Sequence, residues 1–346
     1  MQSQSRYQIN YNPLHVLMET TVFKSTEVAA QEREVETILQ KDLIEEFSIG
    51  GHEDFDYLLN NIYCESDYDD DKHREKDIKL CSVFIDLRNF TKRALFVETE
   101  NGETIEEIAS LKQRAISTWI KLARYYQGHI HSITGDGLMI LFGGKQPQDI
   151  DEWTVGARAF LLALRILEST DILNNDLKER LKEKGLEDYS SNSDNLLDIK
   201  VGVEYSPNTL INAQGVVVNN KAIGEVKATA FEVDFSAKLL SCYTEAKNNL
   251  EDNPKYGRVL MIGEKYIELM QFNDKVDLKK LSSTYTRTMF GNTIVRTYHY
   301  LDCKKYKDEI ITLEDVAGIC DVYISGDEMK IASIGVFKEK DKIQHG

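Results

Sequence analysis

The feature of this sequence that most restricts its fold is an Asp-Gly turn at Asp136, placed between two apolar runs at 129–133 and 138–142. An Asp-Gly pair flanked by apolar segments is the strongest short-range signal for a β-hairpin. We therefore predict two antiparallel strands with the Asp136 carboxylate held at the turn. His129 and His131 alternate along the first strand and are interpreted as surface residues, because no third metal ligand lies nearby in the sequence.

A second strand-like run, residues 80–87, carries another acidic residue near its end, Asp86. Successive side chains of a strand point to opposite faces, so Phe84 and Asp86 point away from the face shared by Cys81, Val83 and Ile85. If this strand neighbours the hairpin in one sheet, the carboxylates of Asp86 and Asp136 converge on one spot. Two carboxylates there suit Mg²⁺ or Mn²⁺ bound together with the phosphates of a substrate.

Composition limits the partners of this chain. It has 346 residues and a formal net charge of −16, which argues against nucleic acid as a partner, because binding a polyanion requires a basic surface. Its 5 cysteines are scattered without C-x-x-C spacing, which favours reduced thiols. No apolar run approaches the length of a membrane span. We expect a soluble, cytoplasmic protein that binds neither nucleic acid nor a membrane.

The rest of the chain alternates helical and strand-like periodicity. The three- and four-residue spacing of apolar residues predicts helices over 14–60, 105–126, 153–168, 233–243 and 266–270. Period-two alternation predicts strands over 197–205 and within 284–300. Two polar stretches, 65–71 and 171–195, are interpreted as an acidic linker and an exposed insertion. This order predicts an α+β fold, a sheet with helices packed against one face.

Three motifs resemble the class III nucleotide cyclases. Residues 84–91, Phe-Ile-Asp-Leu-Arg-Asn-Phe-Thr, resemble the F-x-D-[IL]-x-G-F-T metal strand of that family, and residues 128–139 resemble its second metal motif. Residues 201–203, Val-Gly-Val, resemble its R-I-G-I strand more weakly. The order and spacing of the motifs also match, over residues 78–270. The resemblance implies the ferredoxin-like, palm-type α+β sheet of these enzymes.

The same resemblance divides the chain into three parts. Residues 1–75 are predicted to be a helical N-terminal extension and acidic linker, and residues 76–272 the nucleotide cyclase catalytic domain. Residues 273–346 are predicted to be a mixed, α/β C-terminal extension. The motifs that carry the resemblance all fall in the middle part.

The resemblance also implies the roles of the site residues. Asp86, Asp136 and the carbonyl of Leu87 would hold two divalent ions, Mg²⁺ or Mn²⁺, while the 3'-hydroxyl of a nucleoside triphosphate attacks its own α-phosphorus and pyrophosphate leaves. The predicted substrate-binding residues are Phe84, Arg88, Asn89, Phe90, Thr91, Ser132 and Lys227. Asn89 stands where the family has Gly, and Asn tolerates left-handed backbone angles better than most residues.

The helix over 233–243 departs from the family pattern. The family places N-x-x-x-R there, with Asn orienting the ribose and Arg stabilising developing charge, whereas this chain has Asp234 and Lys238. Lysine can still act as a point charge on phosphate. A carboxylate cannot donate to a ribose oxygen, so a catalytically degenerate nucleotide-binding or regulatory module is an alternative. A diguanylate cyclase is a weaker alternative, because the G-G-D-E-F signature is missing.

In the family each site forms across a subunit interface, with the metal aspartates from one chain and the base-reading and transition-state groups from the other. This chain carries one copy of each group, so the resemblance implies a symmetric homodimer with two composite sites.

The base-reading positions favour a pyrimidine. Adenylate cyclases place Lys and Asp, and guanylate cyclases Glu and a small residue, where this chain has Ser132 and Lys227. Neither purine set is present, and the chain is similar in layout to the pyrimidine cyclases of bacterial Pycsar anti-phage defence systems. Lys227 can only donate, which matches the O4 acceptor of uracil. We therefore predict that UTP is converted to 3',5'-cyclic UMP as a signal for a separate effector, with cytidylate or adenylate cyclase activity as the alternatives.

Overall fold

The computed structural model describes twelve stretches of the chain. They are 74–88, 90–97, 99, 102–126, 128–143, 152–192, 195–218, 221–250, 259–270, 282–303, 322–325 and 328–331. The helical segment predicted over 14–60 and the acidic linker at 65–71 lie outside these residues.

Ten strands and five α-helices make up the described chain. The strands are β1 (Arg74–Arg88), β2 (His129–Thr134), β3 (Gly137–Gly143), β4 (Asp198–Val218), β5 (Lys221–Thr229), β6 (Val259–Gly263), β7 (Ser282–Met289), β8 (Asn292–Asp302), β9 (Val322–Ser325) and β10 (Glu328–Ile331). The helices are α1 (Phe90–Ala94), α2 (Ile105–Tyr125), α3 (Glu152–Glu183), α4 (Phe231–Asn249) and α5 (Glu264–Met270).

Eight of the strands form one sheet in the order β2-β3-β1-β4-β6-β8-β7, with β5 paired to β4. All neighbours are antiparallel except β4 and β6. The predicted hairpin is therefore present as β2 and β3, and the predicted metal strand β1 lies directly beside it. Strands β9 and β10 form a separate two-stranded sheet.

One face of the sheet is covered by α2, α3 and α5. Val83 and Ile85 of β1 and Trp119 of α2 are fully buried in this layer. Helix α2 begins with a capping box, in which the Thr104 N–H donates to the Glu107 carboxylate and the Glu107 N–H donates to the Thr104 hydroxyl, at 2.8 and 3.2 Å. The box satisfies two backbone donors that the first turn of a helix leaves without partners.

The α+β class is confirmed, with one difference in layering. Helix α4 covers the opposite face of the sheet, so helices lie on both faces and not on one. Alternation in β6 shows this directly, because Leu260 and Ile262 belong to the first core while Val259 and Met261 pack under α4. A strand that is apolar at every position has two faces to bury, and β6 is such a strand.

The prediction of an exposed insertion over 171–195 is wrong in its first half. Helix α3 continues to Glu183, and Leu173 and Leu177 are buried one turn apart on it. Asn174 between them is also buried, and its amide donates to the Leu197 carbonyl while its oxygen accepts the Leu197 N–H, at 2.9 and 2.7 Å. Because the segment is polar overall, its composition did not indicate that Leu173, Asn174 and Leu177 are buried.

The domain boundaries stay predictions. The sheet itself continues past residue 272, because β8 pairs with β6 along five residues, from Val259 opposite Asp302 to Gly263 opposite Tyr298. None of the helices in the described ranges combines the length and apolar character needed to span a membrane.

Glu204 of β4 is a carboxyl buried beneath the α4 layer. It accepts the backbone N–H groups of Tyr205 and Tyr266 at 2.9 and 2.8 Å. It also fills the space beside Gly263, where an added Cβ would lie 1.8 Å from its carboxylate oxygen. Burial raises the pKa of Glu204 to about 8, with smaller contributions from the charges of Glu232 and Glu264.

Glu204→Gln tests this burial. The folded-state pKa lies above the ordinary value of 4.5, so the folded protein binds more protons than the unfolded chain between these pH values. Wild-type stability should therefore fall by roughly 2–5 kcal/mol as pH rises from about 4.5 to 8. We expect Glu204→Gln to flatten this slope in urea denaturation at several pH values. The exposed Glu183→Gln is the control, and a slope unchanged by Glu204→Gln would contradict the assignment.

Candidate active site

The two predicted metal ligands meet at the end of β1. Asp86 lies opposite Gly137, the residue that follows Asp136 in the β2–β3 turn. The Leu87 N–H donates to the Asp136 carbonyl at 3.4 Å, which ties the turn to the metal strand. The structure thus brings together the two aspartates that strand alternation and the hairpin placed near each other.

Burial and the neighbouring charge of Asp86 both raise the pKa of Asp136. The nearby ammonium groups of Lys112 and Lys200 act in the opposite direction. Two carboxylates that repel each other in a half-buried site are the setting that a divalent cation relieves.

Lys200 is a site residue that the sequence analysis missed. It lies opposite Asp86 on β4, and its Nζ is 2.7 Å from Asp86 Oδ2. The signal for it was present in the sequence, because Lys200 is a charged residue inside a strand whose alternate residues are apolar. Only the pairing of β4 with β1 shows which acidic residue it meets.

The donor set fits a divalent ion held jointly with substrate. Across the described residues there is no cluster of three or more His, Cys, Asp or Glu side chains that could hold a metal by themselves. Asp86 and Asp136 would therefore need additional oxygen ligands. Backbone carbonyls, of which Leu87 is the predicted one, and phosphate oxygens of a nucleotide are ligands that Mg²⁺ and Mn²⁺ accept.

A buried hydrogen-bond network holds Arg88, the last residue of β1. Arg88 donates to Asp198 Oδ2 at 3.2 Å, and the same carboxylate accepts from the Tyr243 hydroxyl at 2.6 Å and from Lys247 Nζ at 3.1 Å. Asp198 and Lys247 are both buried. The guanidinium of Arg88 is thus held at the end of β1 by groups from β4 and α4.

The turn predicted to bind phosphate leads into the five-residue helix α1. Phe90 is buried in the core and Thr91 is exposed. Phe90 can therefore contact a substrate only through its backbone, whereas the Thr91 hydroxyl is accessible. Asn89 lies outside the described residues.

A hydrogen bond joins the strands that carry the two base-reading candidates, Ser132 on β2 and Lys227 on β5. The Ala228 N–H donates to His131 Nε2 at 3.2 Å, which joins the chain neighbours of Ser132 and Lys227. Ser132 on β2 pairs with Met139 on β3, and Met139 pairs with Phe84 on β1. Ser132 therefore lies on the same sheet face as Asp86.

The interpretation of His129 and His131 as surface residues is wrong, because only 1% and 2% of these residues is exposed. His131 is enclosed because β5 approaches it, as its hydrogen bond to Ala228 shows. That approach is a contact between distant parts of the chain, which the alternation of β2 alone could not reveal.

Asp234 and Lys238 lie on the flank of α4 that adjoins β7 and β8. Both are exposed on α4, in the stripe that runs from Phe231 to Glu245. This stripe faces β7 and β8, because the Phe231 ring stacks with Arg296 and Glu245 accepts from Ser283. Strand β8 is three strands from β1, a lateral separation of about 14 Å at ordinary strand spacing.

A comparison with protein-family models gives no match. Among curated proteins, a cytidylate cyclase from Staphylococcus aureus is 24% identical over 203 residues. The match covers 58% of this chain and 42% of the relative, so the chain spans less than half of the relative's length.

Solved structures with a similar arrangement are also cyclases. The adenylyl cyclase CyaB from P. aeruginosa has a TM-score of 0.44 at 17% identity, covering 66% of this chain and 96% of that one. The guanylyl cyclase Cya2 has a TM-score of 0.43 at 15% identity, covering 66% of this chain and 91% of that one.

The sequence carries two metal-type motifs in the family's order, and the fold sets their aspartates side by side at one end of a central strand. The similarity to a cytidylate cyclase extends over 203 residues. In these motifs and over this stretch of sequence, the chain is similar to class III nucleotide cyclases.

Proposed function

We propose that this protein converts a pyrimidine nucleoside triphosphate to its 3',5'-cyclic monophosphate and pyrophosphate. The observation that carries the proposal is the meeting of Asp86 and Asp136 beside Lys200, where acidic ligands and a cation face one spot. Phosphoryl transfer needs this combination, because the protein contributes mainly positioning and charge stabilisation.

The side chains divide the work between the ions and the substrate. Two divalent ions held by Asp86, Asp136 and the Leu87 carbonyl would activate the 3'-hydroxyl and neutralise the leaving pyrophosphate. Lys200 Nζ lies 2.7 Å from Asp86 Oδ2, and it would be available to contact phosphate oxygens if Asp86 bound an ion. Arg88, fixed by Asp198, adds a second cation at the entry to the phosphate turn.

A second copy of the chain would complete the site. Lys238 is exposed on the flank of α4 toward β8, and there we propose that it contacts the phosphates of a partner's substrate. There it would stabilise charge that develops at the α-phosphate. Asp234, one turn earlier, can accept a hydrogen bond from a ribose hydroxyl although it cannot donate one. The active form is thus proposed to be a homodimer with two composite sites.

UTP is the proposed substrate, on the strength of the donor Lys227 near Ser132. The cytidylate cyclase similarity favours CTP as the second candidate. A cytosine amino group would need an acceptor, which Ser132 can supply and Lys227 cannot. By its likeness to Pycsar cyclases, the cyclic product is proposed to act as a signal for a separate effector during phage infection.

A degenerate, non-catalytic cyclase module is the other candidate, favoured by Asp234 and Lys238 in place of the family's Asn and Arg. Such a module would bind a nucleotide without forming pyrophosphate. Turnover measurements separate it from an active enzyme.

The first prediction of the proposal concerns the base. Incubation of the purified chain with Mn²⁺ and each of the four ribonucleoside triphosphates should give cyclic UMP as the main product by liquid chromatography and mass spectrometry. Dominant cyclic CMP would keep the pyrimidine assignment and overturn the role of Lys227. Dominant cyclic AMP or cyclic GMP would overturn the pyrimidine assignment, and absence of any product would favour the degenerate module.

Asp86→Ala and Asp136→Ala should each reduce turnover by about 10³-fold or more, because each removes an anionic ligand at the point of charge transfer. Thermal unfolding should show that both variants fold. Asp171→Ala, which removes an exposed carboxylate on α3, is the matched control. Activity near that of wild type in either site variant would contradict the two-aspartate site.

Lys200→Met should separate metal binding from substrate binding. Loss of the competing ammonium should tighten Mn²⁺ binding without nucleotide by about fivefold, the size of a partly exposed ion pair. Loss of the phosphate contact should raise KM by about tenfold. Lys79→Met, which removes a lysine paired with Glu152 at 2.5 Å on the other sheet face, is the control. Weaker Mn²⁺ binding in Lys200→Met would show that Lys200 does not compete for Asp86.

A further inference from the structure

Strand β2 contains a β-bulge at His131, next to the base-reading candidate Ser132. Ile130 pairs with Ile140 of β3. The next pair is Ser132 with Met139, so His131 is the extra residue of β2 at this point. A bulge interrupts the alternation of a strand and re-aims a side chain, and bulges are frequent beside active sites. His131 and Ser132 can therefore serve the same face of the sheet although they are consecutive in the chain.

The end of β5 packs on the sheet face that carries Ser132. Ala228 of β5 belongs to a buried apolar cluster that includes Met139 and Leu141 of β3, and Met139 is the residue that pairs with Ser132. Among the described strands, β5 pairs only with β4. Backbone N–H groups on the other edge of β5 therefore need acceptors outside the strand ladder.

His131 supplies the acceptor for one of these groups. Its Nε2 accepts the Ala228 N–H at 3.2 Å, and only 2% of His131 is exposed. A backbone N–H can only donate, so the imidazole presents an unprotonated nitrogen to it. A buried N–H without an acceptor costs the free energy of a lost hydrogen bond, so the bond to His131 favours this position of β5.

This one hydrogen bond spans the two base-reading candidates. Ser132 directly follows His131, and Lys227 directly precedes Ala228. His131 and Ala228 are buried, whereas Ser132 and Lys227 are half-buried. A buried hydrogen bond that fixes the backbone beside accessible polar side chains is the support that a precise binding site needs.

We propose that His131 is a positioning residue for base recognition. By holding the Ala228 amide, it sets the distance between Lys227 and Ser132, and so the width of the space that the base enters. This inference rests on the proposed function, in which Ser132 and Lys227 read the base of the nucleotide. A polar site rejects the wrong base only while its donors and acceptors are held in place, because displaced groups can pair with water instead.

His131→Leu and His131→Gln separate this role from packing. Leu has no acceptor, whereas the Gln amide oxygen can take the place of Nε2. His129→Leu is the matched control, because His129 is similarly buried on the same strand but lies outside the bulge. Hydrogen exchange measured by mass spectrometry should show amide exchange over 227–230 about tenfold faster in His131→Leu, and unchanged in the other two variants. Unchanged exchange in His131→Leu would overturn the proposed support.

Base preference is the deciding measurement. The ratio of kcat/KM for UTP to that for ATP, with Mn²⁺, should move about tenfold towards 1 in His131→Leu, mainly through KM. The kcat for UTP should stay within about threefold of wild type, because base contacts bind substrate and transition state equally and the metal aspartates are untouched. His131→Gln should restore the wild-type ratio, and His129→Leu should leave it unchanged. A change in kcat alone, or a ratio that Gln does not restore, would contradict positioning of the base.

The outcomes separate this inference from the proposed function. Turnover by the wild type with a ratio that His131→Leu leaves unchanged, or with a wild-type ratio near 1, overturns the inference and leaves the cyclase standing. If no nucleotide is turned over, the proposed activity is overturned, and equilibrium dialysis with the α,β-methylene analogues of UTP and ATP gives the same ratio from Kd values. Loss of that preference by about tenfold in His131→Leu would support the positioning role in a binding module, and an unchanged preference would overturn it.

Discussion

The pairing of β1 with β3 decides where the chemistry of this chain can occur. Their register sets Asp86 opposite Gly137, and the turn carries Asp136 to the same point. The approach is close because Gly137 has no side chain, and an added Cβ would lie 2.5 Å from the Ile85 carbonyl. A slip of one residue would turn Asp86 into the apolar core and send its neighbours to the surface. Burial of the alternate residues of β1 therefore fixes the site as well as the fold.

Charge balance follows from that placement. Two carboxylates at one point repel each other, and the structure offsets this with Lys200 on the adjoining strand. Two residues further along the same strands, Arg88 faces Asp198, which is buried with Lys247. Cations and carboxylates thus alternate between the two strands at the end of β1. In a chain of net charge −16, this local supply of cations is what would allow an anionic nucleotide to bind.

Helix α4 divides the sheet face into two regions with different tasks. One flank adjoins β4, where Tyr243 and Lys247 hold Asp198. The other flank adjoins the β7–β8 hairpin and presents Lys238 to solvent. Within one chain, β8, which this flank adjoins, lies three strands from β1 and its metal ligands. This separation is the physical reason for proposing that two copies act together.

The sequence by itself determined the local features of the site. An Asp-Gly turn between apolar runs specifies a hairpin, and period-two alternation specifies which face of β1 carries Asp86, because both depend on residues adjacent in the chain. Motif order was enough to indicate a resemblance to class III nucleotide cyclases. Tertiary structure alone decided that Lys200 meets Asp86, that β5 buries His131, that α3 continues through a polar stretch, and that α4 lies on the face opposite α2. Each of these depends on contacts between segments distant in sequence, and the packing that selects among the possible pairings leaves no periodic signal in the chain.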